Sequence, residues 1–232
     1  MSKNFIIITV IFFSPILLFP SAGITPYIKI DGQIYFLLSV EKRYTNKKPY
    51  ICITDFGGRG PTTIKTAAKE GYEETMGIFT TKNIEHLKKE KKAGVNFFIQ
   101  NFKNKKSLII GNKNYKTFFI DITQAAIELT HNNPENIKNT ILNTLETRLI
   151  KLKSLEKFKN KFDEYREKIG FVLIKREDFI AMVKTPHIAL HKTKVHTSFV
   201  PQPQYYFLKL KLYGPFVQLL QKDNAYLKLL NL

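Results

Sequence analysis

The chain has 232 residues, 37 Lys and Arg against 19 Asp and Glu, and a formal net charge of +18. Hydrophobic residues make up 44%, which excludes a globally disordered chain and leaves room for one domain with its own core. The single cysteine, Cys52, excludes an intramolecular disulfide and a zinc site built from cysteines. The positive charge favours polyanionic partners: nucleic acid, nucleotide phosphates or an anionic membrane surface.

The N-terminus stands apart. MSKNFIIITVIFFSPILLFPSAG has one lysine near its start, an apolar run from Phe5 to Phe19 broken by Thr9, Ser14 and Pro15, and small residues from Ser21 to Gly23. That layout predicts a secretory signal peptide or uncleaved membrane anchor over residues 1–22, with processing near Ala22 or Gly23. Its apolar core is shorter than the roughly 20 residues of a spanning helix. Export or membrane association follows if the segment is a signal, and a cytoplasmic location if it is not. The folded domain is then expected over 23–232.

ITPYIKI and QIYFLLSV flank Asp31-Gly32, which predicts a β-hairpin. YICIT adds a strand with Cys52 buried in it, and Gly57-Gly58 reads as a corner. Thr62 or Thr63 can cap the helix that follows, and Gly77 can end it. Residues 82–92 are strongly charged and predict a helical or exposed segment. KSLIIGNKN and YKTFFIDI predict a second strand pair. Asn133-Pro134 predicts the start of a long helix running to Ile169, with Ile137, Ile141, Leu145, Leu149 and Leu152 on its buried face. GFVLI predicts a late strand, KREDFIAMV a short helix, and the tail from Tyr205 is apolar with interleaved lysines. No tandem repeat or long internal linker divides the chain.

The helix after the glycines carries Glu70, Glu73 and Glu74, which fall within an arc of roughly 100°. Three like charges repel, so helix stability alone does not account for them. A divalent cation sharing its shell with substrate phosphates would. The plain alternative is a solvated face neutralised by Lys65 and Lys69.

The stretch DFGGRGPTTIKTAAKEGYEETMGIF resembles the Nudix box of the Nudix hydrolases. Gly57 and Gly58 stand at the loop, Ala67 and Ala68 where the helix packs inward, Lys69-Glu70 at the Arg-Glu site, and Glu73-Glu74 at the paired glutamates. Gly77-Ile78 closes the motif. The opening hairpin and the late GFVLI strand with its helix extend the resemblance over most of residues 23–183.

The resemblance implies an α/β fold, an α/β/α sandwich with a mixed β-sheet. It also implies hydrolysis of a diphosphate linkage in a nucleoside diphosphate derivative, with Mg²⁺ or Mn²⁺ as cofactor. It carries over Glu70, Glu73 and Glu74 as metal ligands, Glu73 and Glu74 as catalytic residues, and Gly57, Gly58 and Lys69 as substrate-binding positions. Glu164 and Glu167 are candidates for the additional acid that many Nudix enzymes take from outside the box.

Five departures accompany the match. The first glutamate of the pattern falls on Ile64 or Pro61, depending on the end from which it is counted. The loop is about three residues short. Lys69 replaces the family's arginine and loses its bidentate fork. Gly71 occupies a normally apolar helix position, at a cost of about 1 kcal/mol relative to Ala. Met76 adds one residue before the closing glycine.

These departures, with the +18 charge, favour an alternative: a catalytically inactive Nudix-fold module binding nucleotide or RNA through a basic surface. A third possibility is an interaction domain that docks on an anionic membrane. His187 and His191 lie four apart with His196 beyond, but no Glu or Cys completes a ligand set, so a polar surface segment is expected. KNIEHLKKEKK and NFKNKK could bind phosphates, with Phe97, Phe98 and Phe102 stacking bases. Standard nucleic-acid-binding signatures are absent, so a solvated face and core aromatics are expected instead.

Overall fold

The computed structural model describes residues 20–45, 48–105, 107–130, 136–154, 168–185, 196–199 and 211–232, with 45, 48–49 and 196–199 as backbone alone. The hairpin forms as the sequence predicts. Strands β1 (Ser21–Ile30) and β2 (Gln33–Thr45) meet at Asp31 and Gly32, whose φ values of 50° and 71° suit a tight two-residue turn between twisted strands. Six more strands complete a mixed sheet: β3 (Lys48–Thr54), β4 (Phe56–Arg59), β5 (Leu108–Gly111), β6 (Tyr115–Asp121), β7 (Lys168–Lys175) and β8 (His196–Phe199). The main path runs β5-β6-β1-β2-β7-β8, with β3 on β2 and β4 on β1. Among the described strands, β1 and β6 pair in parallel and the other strand pairings are antiparallel.

Strand alternation divides the core into two layers. Phe118, Ile120, Phe171 and Leu173 face one side with Leu37 and Ile24. Helices α1 (Ile64–Glu74), α2 (Lys91–Asn104), α3 (Thr123–Leu129) and α4 (Ile137–Ser154) cover that side. All five apolar positions predicted for the long helix are buried there. Phe119, Val172, Ile174, Phe36 and Leu38 face the other side, under α5 (Arg176–Lys184), α6 (Gly214–Gln221) and a terminal 3₁₀ segment, Lys222–Asn231. The chain is therefore mixed α/β, with helices on both faces of a mixed sheet.

Two expectations change. Gly57 and Gly58 do not turn a corner; they lie inside β4, paired with Gly23 and Ala22. The late strand begins at Lys168, so the long helix cannot run to residue 169; α4 ends at Ser154, and 155–167 lie outside the described residues. Asn133-Pro134 lies outside them as well. The charged segment 82–92 is mostly exposed, as expected, with a 3₁₀ turn at Ile84–His86 before α2 begins at Lys91.

Residues 1–19 lie outside the described region, while Ser21 and Ala22 belong to β1, so the expected processing point falls within that strand. Among the described residues no helix is long and apolar enough to cross a membrane.

Candidate functional site

The site is built where the sheet forks. β1 and β2 pair only through Tyr27–Ile30 and Gln33–Phe36. The first half of β1 pairs with β4 through Ser21–Ile24, and the far half of β2 pairs with β3 from Ser39 onward. Asp55 is the one residue that joins β3 to β4. Buried polar side chains gather around this divergence: Ser39, Glu41, Thr54, Asp55 and Lys168.

Helix α1 lies against β1 and β4. Thr63, rather than Thr62, caps it, accepting a hydrogen bond from the Thr66 amide at 3.2 Å. Ala67 and Ala68 pack inward as expected. Gly71 is explained by the same contact, since a Cβ there would collide with the Ile24 side chain. Close approach of helix to strand, not flexibility, requires glycine at this position.

The helix ends at Thr75, and Met76 and Gly77 follow with φ of 52° and 61°. Arg148 of α4 holds this connection, donating to the carbonyls of Met76 (2.6 Å), Thr81 and Lys82 (3.2 Å). Phe98 is buried, and Phe97 and Phe102 are partly buried against the same core, so these aromatics serve packing.

The three glutamates separate. Glu70 and Glu74, one turn apart, are buried against the sheet, and Glu73 is only partly buried. Each meets a lysine. The Lys69 ammonium lies 3.4 Å from Glu70 and 3.5 Å from Glu73, and Lys91 of α2 closes on Glu73. Lys168 of β7 is fully buried and lies 3.2 Å from Glu74 and 2.8 Å from Glu41. Arg43 then grips the other Glu41 oxygen through Nε at 2.9 Å and Nη2 at 2.6 Å. Arg43, Glu41, Lys168 and Glu74 thus form a continuous chain of buried or half-buried ionisable groups.

Burial opposes ionisation of Glu41, yet Lys168 and Arg43 outweigh it and hold its carboxyl down at about 2. Burial also opposes the Lys168 charge, but Glu41 and Glu74 raise its pKa above the ordinary lysine value. Burial dominates at Glu74 and pushes it well above the usual carboxylate range despite Lys168, with Glu41 and Glu70 adding to the rise.

The metal implied by the Nudix resemblance can be tested against this donor set. Among the described residues no group of three or more His, Cys, Asp or Glu is arranged to hold an ion. Both Glu41 oxygens and Glu74 Oε1 face cations; Glu74 Oε2 is buried with no hydrogen-bond partner. As they stand, these residues do not fit a divalent cation. Glu164 and Glu167 lie outside the described residues, as do His187 and His191; His196 belongs to β8, described as backbone alone.

On one side of β4, the Glu70 carboxylate fills the space that a Cβ at Gly58 would need. A Cβ at Gly57 would meet Gly23 Cα and the Tyr115 hydroxyl, each at 2.9 Å. The two glycines therefore make β4 thin rather than bent.

A cavity of about 760 Å³ opens between β4, the β5–β6 turn and α6. Its walls include Gly57 and Gly58, the cations Arg43, Arg59 and Lys222, and the rings of Tyr115, Tyr213 and Phe216. The Arg43 guanidinium stacks 4.4 Å from the Tyr213 ring centre. Asp55 lines the same cavity, receiving the Tyr115 hydroxyl at 2.5 Å and the Thr54 hydroxyl at 3.2 Å. Burial raises Asp55 to about 6, against the hydrogen bonds from Tyr115, Thr117 and Thr54. Tyr115 is itself pushed well above its ordinary value by burial and by Asp55.

Sequence reasoning missed Lys168, Glu41, Arg43, Asp55 and Tyr115. Two signals were present: the Glu41-x-Arg43 spacing places both side chains on one side of a strand, and Asp55 immediately precedes the glycine strand. Nothing local marks Lys168 as the partner of Glu41, 127 positions away.

Comparison of the chain with family models, with curated proteins and with solved structures returned no match.

Proposed function

We propose that this chain is a Nudix-like module that binds a nucleotide-type diphosphate in the cavity beside Gly57 and Gly58, without the metal-dependent hydrolysis of that family. The observation that carries the binding is the cavity itself. It joins both motif glycines to three cationic side chains and to aromatic walls, the combination that phosphates and a base would use. The α/β/α layering and the order of hairpin, glycine strand and acidic helix support the Nudix likeness. The lysine at each glutamate of α1 supports a silent site.

A metal-dependent diphosphate hydrolase using Glu73 and Glu74 is the second reading, favoured by one observation: Glu74 Oε2 is buried without a partner. It requires the lysines to release these carboxylates. RNA on the lysine-rich surface is the corresponding macromolecular ligand, and anionic membrane has no further support from the fold.

The deciding experiment is a panel of ADP-ribose, dinucleoside polyphosphates, NTPs and capped RNA, scored for binding and for product release with Mg²⁺ or Mn²⁺. Saturable binding without turnover, weakened by Arg59→Ala, is the expected result. Turnover lost in Glu73→Gln and Glu74→Gln establishes the hydrolase instead. Binding to oligonucleotides alone, with a steep salt dependence, moves the ligand to the basic surface.

A further inference from the structure

The acidic face of α1 already contains a cation. Lys168 enters from β7, the direct backbone partner of Glu41, with its ammonium fully buried between Glu41 and Glu74. The Phe56 ring lies 5.7 Å beneath that ammonium. Its own backbone is held in turn, because Lys153 of α4 donates to the Lys168 carbonyl at 2.5 Å. We propose that Lys168 is a resident cation standing in for a divalent ion at these carboxylates, so that the neighbouring cavity takes its phosphate ligand without a metal.

The oxygen inventory supports this. Glu41 Oε1 accepts from Lys168 and Ser39, and Glu41 Oε2 accepts twice from Arg43. Glu74 Oε1 faces Lys168, leaving Glu74 Oε2 as the one partnerless oxygen of the pair. A magnesium ion needs near-octahedral oxygen ligation and generally one or two carboxylates, with the remaining positions filled by water and phosphate. One buried oxygen beside an ammonium offers neither the ligands nor the charge. An ion could enter only by displacing Lys168. That side chain is tethered by its own strand, so it competes as an intramolecular ligand at high effective concentration, while the ion competes from dilute solution.

The metal arm of the test is independent of the nucleotide reading. Mn²⁺ is titrated into the whole chain and followed by loss of the free-ion electron paramagnetic resonance signal. The wild type is expected to show no saturable site dependent on Glu74. Lys168→Ala removes the ammonium from Glu41 Oε1 and Glu74 Oε1 and is expected to gain one equivalent of Mn²⁺, bound at least about tenfold more tightly than by the wild type, as removal of a tethered competitor requires. Adding Glu74→Gln should abolish the gain.

A wild-type Mn²⁺ site that disappears in Glu74→Gln overturns the proposal. A folded Lys168→Ala protein that gains no Mn²⁺ overturns it equally. If Lys168→Ala does not fold, Lys168→Met, closer in volume, takes its place; if neither folds, the wild-type titration decides alone.

The ligand arm rests on the binding reading above. ADP affinity should be the same in EDTA and in Mg²⁺, and a metal requirement for ADP binding overturns the proposal. Failure of every nucleotide to bind refutes that reading, and the inference about Lys168 is then decided by Mn²⁺.

Discussion

Asp55 gives the sharpest test of the buried polar cluster. Its carboxyl is 2% exposed, sits at the junction of β3 and β4, and titrates at about 6 instead of 3.8. A rise of about 2 pH units, at about 1.36 kcal/mol each, corresponds to about 3 kcal/mol. The sign follows from linkage. The folded state holds this proton more tightly than the unfolded chain, so the contribution to stability is fully present below pH 3.8 and is lost as the pH rises through about 6. Asp55→Asn keeps an oxygen for the Tyr115 or Thr54 hydroxyl and cannot ionise. Urea unfolding of wild type and Asp55→Asn, measured in steps from acid to neutral pH, isolates the effect as a difference. The stability difference should move by about 3 kcal/mol in favour of Asn across that range, with its midpoint between the two pKa values. Tyr115→Phe, which removes a donor to the ionised form, should shift the upper limit of the transition further up. A difference curve flat with pH, or one that favours Asp as the pH rises, refutes the assignment of Asp55 as a buried acid ionised at a cost.

Two further substitutions test the packing that positions the site. Gly71→Ala would raise stability by about 1 kcal/mol on an exposed helix, but the Ile24 side chain occupies the space the new Cβ needs. The expected result is a loss of about 1–3 kcal/mol from overpacking, read as a lower thermal midpoint, and a higher midpoint refutes the contact. Arg148→Met strands the carbonyls of Met76, Thr81 and Lys82 and should cost about 1–3 kcal/mol. Hydrogen exchange should speed up first at the Gly77, Thr80 and Thr81 amides, whose bonds fold that loop; unchanged exchange there refutes the bracing role.

What the sequence made legible was whatever is local in the chain. The Asp31-Gly32 hairpin, the Thr63 cap and the five apolar positions of α4 are set by dihedral preference and helical period, and all three appear in the structure. The Gly57-Gly58 stretch was misread because glycine signals both turns and close approach. Which applies depends on Gly23, Tyr115 and Glu70, none of them next to it in sequence. The same limit applies to the acids of α1. Their shared helix face was visible from spacing, but the cations that meet them come from α2 and β7 as well as from α1 itself. A fork in a sheet is likewise invisible to a strand-by-strand reading, since it arises from which strand each half of β1 and β2 selects.

The fork also lets a strongly basic chain concentrate carboxylates by pairing them with its own cations. Glu41, Glu70, Glu73 and Glu74 meet Arg43, Lys69, Lys91 and Lys168, acid for base, in two ion-paired groups that both include glutamates of α1. The excess positive charge of the chain is therefore carried by other residues, two of which, Arg59 and Lys222, line the cavity on the far side of β4. An anion entering that cavity meets these cations and the Arg43–Tyr213 stack first, while the Glu70 carboxylate lies behind Gly58. Among the described lining residues only Asp55 is an acid that opposes it, and with a pKa of about 6 it exerts full opposition only above that pH. Anion affinity should therefore rise as the pH falls through 6, and Asp55→Asn should remove that dependence while leaving binding at low pH intact. Titrations with ADP-ribose, whose doubly esterified diphosphate does not take up a proton near pH 6 as a terminal phosphate does, measure it on either side of that pH, and an affinity that falls on acidification places the anion away from Asp55.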